Sequence, residues 1–271
     1  MITLYAIAAL PLTAQALAPL GDPPRQAVAL EFLKPALDVS GIAFPTTINR
    51  LDLRFQAGSA VVTAALPFSF AFVENAFGGS QESTLVGNIA LGVDVSPSGT
   101  TIGSMDILLP TTSGGGDDDG AGATAFAIVG DYDDLERYLQ DAITVRATIG
   151  RRWHKDRGLG GRIAGRFAGL VPTQGGGDPE VFFDYAGQLG YDGGSWTVGG
   201  VFSGRYLITE EDFLFGRNVL GFDAAAGVRI GTSFRPALLL HLPLDPDMAD
   251  VIGPSVGLRL EFAFGAAVAA P

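Results

Sequence analysis

The chain has 271 residues, 47% hydrophobic and only 17% charged, with a net charge of -12 and no cysteine. It is too apolar and aromatic for a disordered chain, has no thiols for a disulfide scaffold, and would repel the phosphates of a nucleic acid. The lack of cysteine also fits an oxidising compartment.

In chain order, residues 2–18 form the one continuous apolar run. Thr3, Thr13, Gln15 and Pro11 make it a poor membrane-spanning helix. It closes on Ala14-Gln15-Ala16 and Ala16-Leu17-Ala18, small-x-small patterns that a signal peptidase cuts. No Lys or Arg precedes the run, which departs from a usual secretory signal; a misplaced start or a buried helix is the alternative. Beyond residue 18 nothing approaches the roughly 20 apolar residues of a transmembrane helix. The domain reading is a signal peptide over 1–18 and a single β-domain over 19–271.

From residue 49 the dominant period is two, the mark of strands with unlike faces. Leu51, Leu53, Phe55 and Ala57 oppose Arg50, Asp52, Arg54 and Gln56. In the next segment Val62, Ala64, Leu66, Phe68, Phe70 and Phe72 alternate with Val61, Thr63, Ala65, Pro67, Ser69 and Ala71. Leu85, Ile89, Leu91, Val93 and Val95 are read as one face against Thr84, Asn88, Gly92 and Asp94. Segments 142–153, 159–170, 181–191, 196–206, 219–230, 234–244 and 254–264 repeat the pattern, and 101–110 does so less cleanly, with Met105, Ile107 and Leu109 against Ser104 and Asp106. A weaker one sets Val28, Leu30 and Phe32 against Glu31. A soluble antiparallel sandwich also alternates. Here, however, lysine is nearly absent and the segments run longer than ordinary strands. Aromatic residues such as Phe72, Trp153, Tyr191, Trp196, Tyr206, Phe234 and Phe264 fall near segment ends, as in a membrane-interface girdle.

Connections alternate between short (57–59, 96–100, 154–158, 192–195, 231–233) and long (73–83, 111–141, 171–180, 207–218, 245–253). With the short turns periplasmic, the last segment descends, and 26–34 is required as an additional first strand. The expectation is an all-β, antiparallel up-and-down barrel of about twelve strands with both termini at the periplasmic end.

These features, with a closing strand Leu258-Arg259-Leu260-Glu261-Phe262-Ala263-Phe264, resemble a Gram-negative outer-membrane β-barrel protein of the small porin or channel type. Such proteins usually end on an aromatic residue, whereas Gly265 to Pro271 follow Phe264 here. The resemblance implies an outer-membrane location, lipid as the surrounding partner, and passage of small polar solutes. It implies no cofactor.

In a barrel the polar set faces inward. The residues expected to line the lumen are Arg50, Asp52, Arg54, Arg146, Arg162, Arg166, Asp184, Arg205, Asp223, Arg229, Arg259 and Glu261. Arg235, Glu31 and Asp94 lie on the same face. Strand closure puts Arg259 and Glu261 beside Glu31, with Asp52 and Arg54 on the next strand. Two readings stay open: ion pairs that fill a narrow barrel and fix its register, or a water-filled pore favouring small anionic or zwitterionic solutes.

Towards the end of 111–141, Leu135, Tyr138 and Leu139, with Ala142 just beyond, have helical spacing, with Asp131 as N-cap, which predicts a short helix outside the membrane or over the mouth. Asp117, Asp118 and Asp119 lack the spacing of a calcium loop and read as solvated, as do Glu210, Glu211, Asp212, Asp245, Asp247 and Asp250. His154 falls in a predicted turn. His241 faces inward with Ser203 and Asp223 on the two preceding strands, but no motif supports a catalytic triad. Gly175 to Gly177 is not a phosphate loop, and no zinc pattern occurs. The reading is therefore non-enzymatic: a passive channel, with a closed surface barrel, a secreted soluble β-protein and a barrel enzyme as alternatives.

Overall fold

The computed structural model describes residues 26–39, 42–74, 80–95, 100–112, 127–131, 134–153, 157–174, 177–209 and 218–264. The signal-like segment, Asp117 to Asp119, His154 and Glu210 to Asp212 lie outside them. The strands are β1 (Ala27–Val39), β2 (Ile42–Ala57), β3 (Ala60–Glu74), β4 (Ser80–Val86), β5 (Ala90–Val95), β6 (Thr101–Leu108), β7 (Ala142–Trp153), β8 (Gly158–Pro172), β9 (Glu180–Asp192), β10 (Trp196–Leu207), β11 (Asn218–Val228), β12 (Phe234–Pro243) and β13 (Ile252–Ala263).

Apart from β4 and β5, consecutive strands pair antiparallel, and β1 pairs with both β2 and β13, so the sheet closes on itself. β4 and β5 both pair with β3 and form the upper and lower parts of one wall strand. The result is the expected twelve-stranded up-and-down barrel. Closure through β5 pairs the strands all round the barrel, as hydrocarbon requires of a spanning sheet, and among the described residues β4 pairs with β3 alone. Two connections depart from the expected lengths. β1 and β2 continue to Val39 and from Ile42, and β3 and β4 shorten the link between them to residues 75–79.

The faces are inverted relative to a water-soluble protein. Ile149, Leu159 and Leu238 are 64–66% exposed on the outer surface, while Arg146 and Arg166 on the inner one are 1% exposed. Apolar exposure on this scale requires an apolar solvent around the barrel. Phe68, Leu91, Phe183 and Leu240 belong to the outer face and share no interior. At the short-turn end Tyr191 stacks on Trp196, Phe234 on Phe262, and Phe55 meets Phe264 edge-on. These rings make a girdle at one membrane interface.

One segment corrects the alternation read from the sequence. Phe68 pairs with Val86 and Ala65 with Ala90, so Leu66 and Pro67 oppose three residues, Gly87, Asn88 and Ile89. This extra residue is a bulge, and it shifts which parity faces inward. Leu91 and Val93 face lipid as expected, but Leu85 shares the face of Ser69 and points into the barrel, where it is fully buried. A second shift lies between β1 and β13, where Pro35 opposes Pro254 and Ser255. Above it Leu37 and Ile252 turn inward and pack with Val219 and Met248. Met248 belongs to a short helix, Pro246–Ala249, whose N-cap Asp245 accepts from the amides of Asp247 and Met248.

Candidate functional site in the barrel interior

The long connection between β6 and β7 does not sit outside the membrane or over the mouth. Its described part enters the lumen. Residues 127–130 form a helical turn, and Leu135–Arg137 form a 3-10 turn. Asp131, expected as an N-cap, instead accepts two hydrogen bonds from Arg137 Nη1, at 3.1 and 2.9 Å. The helical spacing seen in the sequence was real as a burial signal. Tyr138 is fully buried against Ile48, Leu85 and Ala127, and Leu139 packs beside Ala142, Leu170 and Phe182 of the wall.

Polar pairing holds the inserted loop on one side of the barrel. Asp106, Arg146, Arg166, Asp184 and Arg205, from β6 through β10, form a belt on the inner wall. Arg146 Nε donates to Asp106 at 2.7 Å, and Asp184 accepts from Arg166 Nε at 2.6 Å and Arg205 Nε at 2.7 Å. The loop supplies the missing carboxylates. Asp134 Oδ1 accepts from Arg146 Nη1 at 2.5 Å and from Arg166 Nη2 at 3.2 Å. Glu136 takes Arg205 in a two-pronged pair at 2.6 and 2.9 Å. Arg205 also lies over the ring of Phe182, 5.0 Å from its centre. Such bidentate, charge-assisted bonds fix both position and orientation. Four arginines, with Arg137 included, meet five carboxylates here, and breaking one buried pair strands its partner.

Burial alone would push the Asp134 carboxyl up. Arg137, Arg146, Arg166 and Arg205 outweigh it and hold that carboxyl far below the usual carboxylate range. Asp131 goes the other way: burial, with Asp134 beside it, raises its affinity for a proton despite Arg137. Burial, reinforced by Asp131, also pushes the Tyr138 phenol well up.

Asn88, at the bulge, is the latch for this loop. Its buried side chain donates to the carbonyls of Glu136 (2.9 Å) and Leu139 (2.7 Å). It accepts from the amides of Thr111 (3.0 Å) and Thr112 (3.1 Å) and from the Thr112 hydroxyl (2.8 Å). Its own amide donates to Arg137 O at 2.5 Å. Gly87 lets this contact form. A Cβ there would collide with Arg137 O and sit 2.9 Å from Pro67 Cγ and 3.0 Å from Tyr138 Cδ1.

A second network lies across the β1–β13 seam. Glu31 is in register with both Arg50 and Arg259. Arg259 Nη1 bridges Glu31 at 3.0 Å and Asp52 at 2.9 Å, Arg50 Nε reaches Asp52 at 2.8 Å, and Arg235 reaches Glu261 at 3.4 Å. Arg54, expected beside this group, pairs instead with Asp94 on β5 at 2.7 Å. Arg229, towards the short-turn end, meets Asp192 at 3.3 Å. Arg50, Arg54, Arg146, Arg166, Asp184, Arg205, Asp223 and Glu261 are buried on the inner wall, and Arg162 sits in the lower part of β8. Towards the short turns, Arg229 and Arg235 are partly exposed, whereas the belt beside the loop is dry. His241 Nδ1 is in contact with Asp223 across the β11–β12 ladder, but Ser203 is in register with Gly221, so no triad is assembled.

The loop leaves a cleft on the other side of the barrel. It is a small cleft, partly open to solvent, between Gly130, Asp131 and Arg137 of the loop and a wall made by β1, β2, β11 and β12. Glu31, Arg50, Asp223 and His241 bring its charge, and Leu33, Ile48 and Leu239 its apolar surface.

An outer membrane channel from Pseudomonas putida F1 has the same architecture, with a TM-score of 0.59 at 12% identity over 92% of this chain and 98% of that one. The chain has the closed β-barrel fold of this outer-membrane protein. The NanC porin gives a TM-score of 0.52 at 7% identity over 88% of this chain and all of that one. No protein-family model and no curated protein sequence matches the chain.

The residues expected to line the lumen did not include Asp131, Asp134, Glu136, Arg137 and Asn88. A signal for the acids was present. At the belt the wall strands carry three arginines, Arg146, Arg166 and Arg205, against two acids, Asp106 and Asp184, and a low-dielectric lumen demands counter-charges for the surplus. The connection with the apolar residues Leu135, Tyr138 and Leu139 also carries those acids.

Proposed function

We propose that this protein is an outer-membrane channel that passes small polar solutes through the cleft beside its inserted loop. The observation that carries this reading is the asymmetry of the interior. Ion pairs occupy the β6–β10 side, while the β1, β2, β11 and β12 side keeps open, charged space. A barrel of twelve strands lies between filled eight-stranded and open sixteen-stranded ones, and an inserted loop narrows it further. Charged walls facing one another across a narrow, low-dielectric gap select by charge as well as by size. The dry belt at the loop favours a second reading, a permanently closed surface barrel.

Reconstitution into planar lipid bilayers separates the two. The channel reading expects discrete, small current steps on insertion. A barrel that inserts repeatedly, as judged by protease protection of its strands, and passes no current overturns it in favour of the closed barrel.

A further inference from the structure

The outer surface carries a cation that the protein itself does not neutralise. On β7 the outward parity runs Val145, Ala147, Ile149, Arg151 and Trp153. Ile149 and Trp153 are 64% and 48% exposed, and Arg151 between them is exposed as well. Among the described residues Arg151 has no ion-pair partner, and neither has Arg157 in the turn that follows. In a chain of net charge -12 these two arginines are a local exception and not part of a basic surface.

Depth makes the exception costly. Arg151 is two residues from the short-turn end of β7, whereas Ile163, in register with it, is five from the end of β8. Arg151 therefore stands nearer the interface than Ile163 does. It is nonetheless on the hydrocarbon side of Trp153, by about 5 Å of depth for two residues in a tilted strand. An arginine at such a level keeps its charge by reaching back to the headgroups, where its planar fork matches two phosphate oxygens.

The surroundings suit a lipid. Trp153 lies flat across β8, since a Cβ at Gly161 would sit 2.5 Å from Trp153 Cζ2. Tyr191, stacked on Trp196, continues the ring level to β9 and β10. Acyl chains pack above such rings and headgroups gather at their level. Farther out, the Arg157 guanidinium is seated against the β9–β10 turn, its Nε 3.2 Å and its Cζ 3.3 Å from where a Cβ of Gly194 would be. It adds a second positive charge at the same interface. The short turns are periplasmic, and the periplasmic leaflet of an outer membrane is built of phospholipid.

We propose that Arg151, Trp153 and Arg157 form a binding site for an anionic phospholipid of the periplasmic leaflet, with Arg151 on the phosphate and the acyl chains against Ile149 and Ile163. The inference goes beyond the channel reading and does not depend on it.

The test uses the two tryptophans of the chain, Trp153 and Trp196. Trp196→Phe leaves the ring beside Arg151 as the sole reporter. This variant is folded into phosphatidylcholine vesicles with phosphatidylglycerol as the minor lipid, and bromine is placed on the acyl chains of one lipid or the other. Bromine quenches the rings it touches, so quenching reads the share of each lipid at Trp153. The expected result is an enrichment of phosphatidylglycerol of about five-fold over its share in the vesicle, the factor for one arginine close to an anionic headgroup. Arg151→Gln should remove most of the enrichment, and Arg151→Lys, which keeps the charge, should retain most of it. Heat-modifiable mobility on gels checks that each variant is a folded barrel. Quenching in proportion to the bulk composition in the parent variant overturns the proposal, as does an enrichment unchanged by Arg151→Gln. Either result leaves the channel reading standing, and absence of current from the inserted barrel leaves the lipid site standing.

Discussion

Replacing Asn88 by alanine tests whether the inserted loop is held by the wall rather than merely resting in the lumen. The substitution removes five side-chain hydrogen bonds between the bulge and the loop. Not all the stranded groups become orphans: the Thr111 amide also reaches Leu109 O at 2.7 Å, and the Thr112 hydroxyl lies 3.5 Å from Leu139 O. The Glu136 carbonyl loses the partner Asn88 gave it in a dry site. At about 1 kcal/mol for each bond, discounted for those retained, the latch contributes roughly 3 kcal/mol. That corresponds to roughly a 150-fold rise in the population with the loop released. Amide hydrogen exchange reads this population directly, because the loop opens locally while the barrel strands stay protected. Faster exchange at Arg137 and Tyr138, unchanged exchange in β7 to β10, and larger or noisier current steps are expected. Asn88→Asp keeps the three acceptor contacts but sets a carboxylate against two carbonyls, so it should release the loop at least as far. If Asn88→Ala leaves both loop exchange and current unaltered, the latch assignment is wrong.

Acid should release the same loop, but only below the ordinary carboxylate range. Asp134 has its folded pKa far below the usual value, so its contribution to docking is complete above about pH 4 and declines by about 1.4 kcal/mol per unit as pH falls further. Asp131, whose pKa is raised, takes up its proton first; that uptake favours the folded loop and cannot be the trigger. Current recorded from pH 7 down to pH 3 should stay constant to about pH 4 and then rise, and a rise between pH 7 and 5 would contradict this. On the outer face, Ile163→Arg should cost about 2–4 kcal/mol, the range for a cation near the middle of the bilayer. Urea titration of the barrel folded into lipid vesicles measures it, and a cost near zero would place β8 outside the hydrocarbon.

Strand placement was legible in the sequence because a closed sheet between lipid and water forces a period of two. Arg50, Asp184 and Glu261 could be assigned to the inner face from that period alone. The assignment failed at Leu85, where three residues oppose two and parity changes without any change in hydrophobicity. It failed also for the connection after β6. Asp131, Asp134 and Glu136 look like the acids of a solvated loop when read locally, since nothing near them in sequence says that Arg146, Arg166 and Arg205 are waiting on the wall. Their partners are set by closure of the barrel: Glu136 and Arg205 are 69 residues apart in the chain. Long-range charge pairing of this sort leaves only an indirect trace, an arginine surplus on a few adjoining strands.

That same separation constrains how the molecule can be made. The loop between β6 and β7 is anchored by Asn88 from a strand before it and by Arg146, Arg166 and Arg205 from strands after it. In a chain inserted strand by strand, whichever end leads, the loop's berth is complete only when both the Asn88 bulge and β10 have joined the sheet. Variants that weaken its seating should therefore still reach the membrane as intact cylinders, with defects that show only in what they let through.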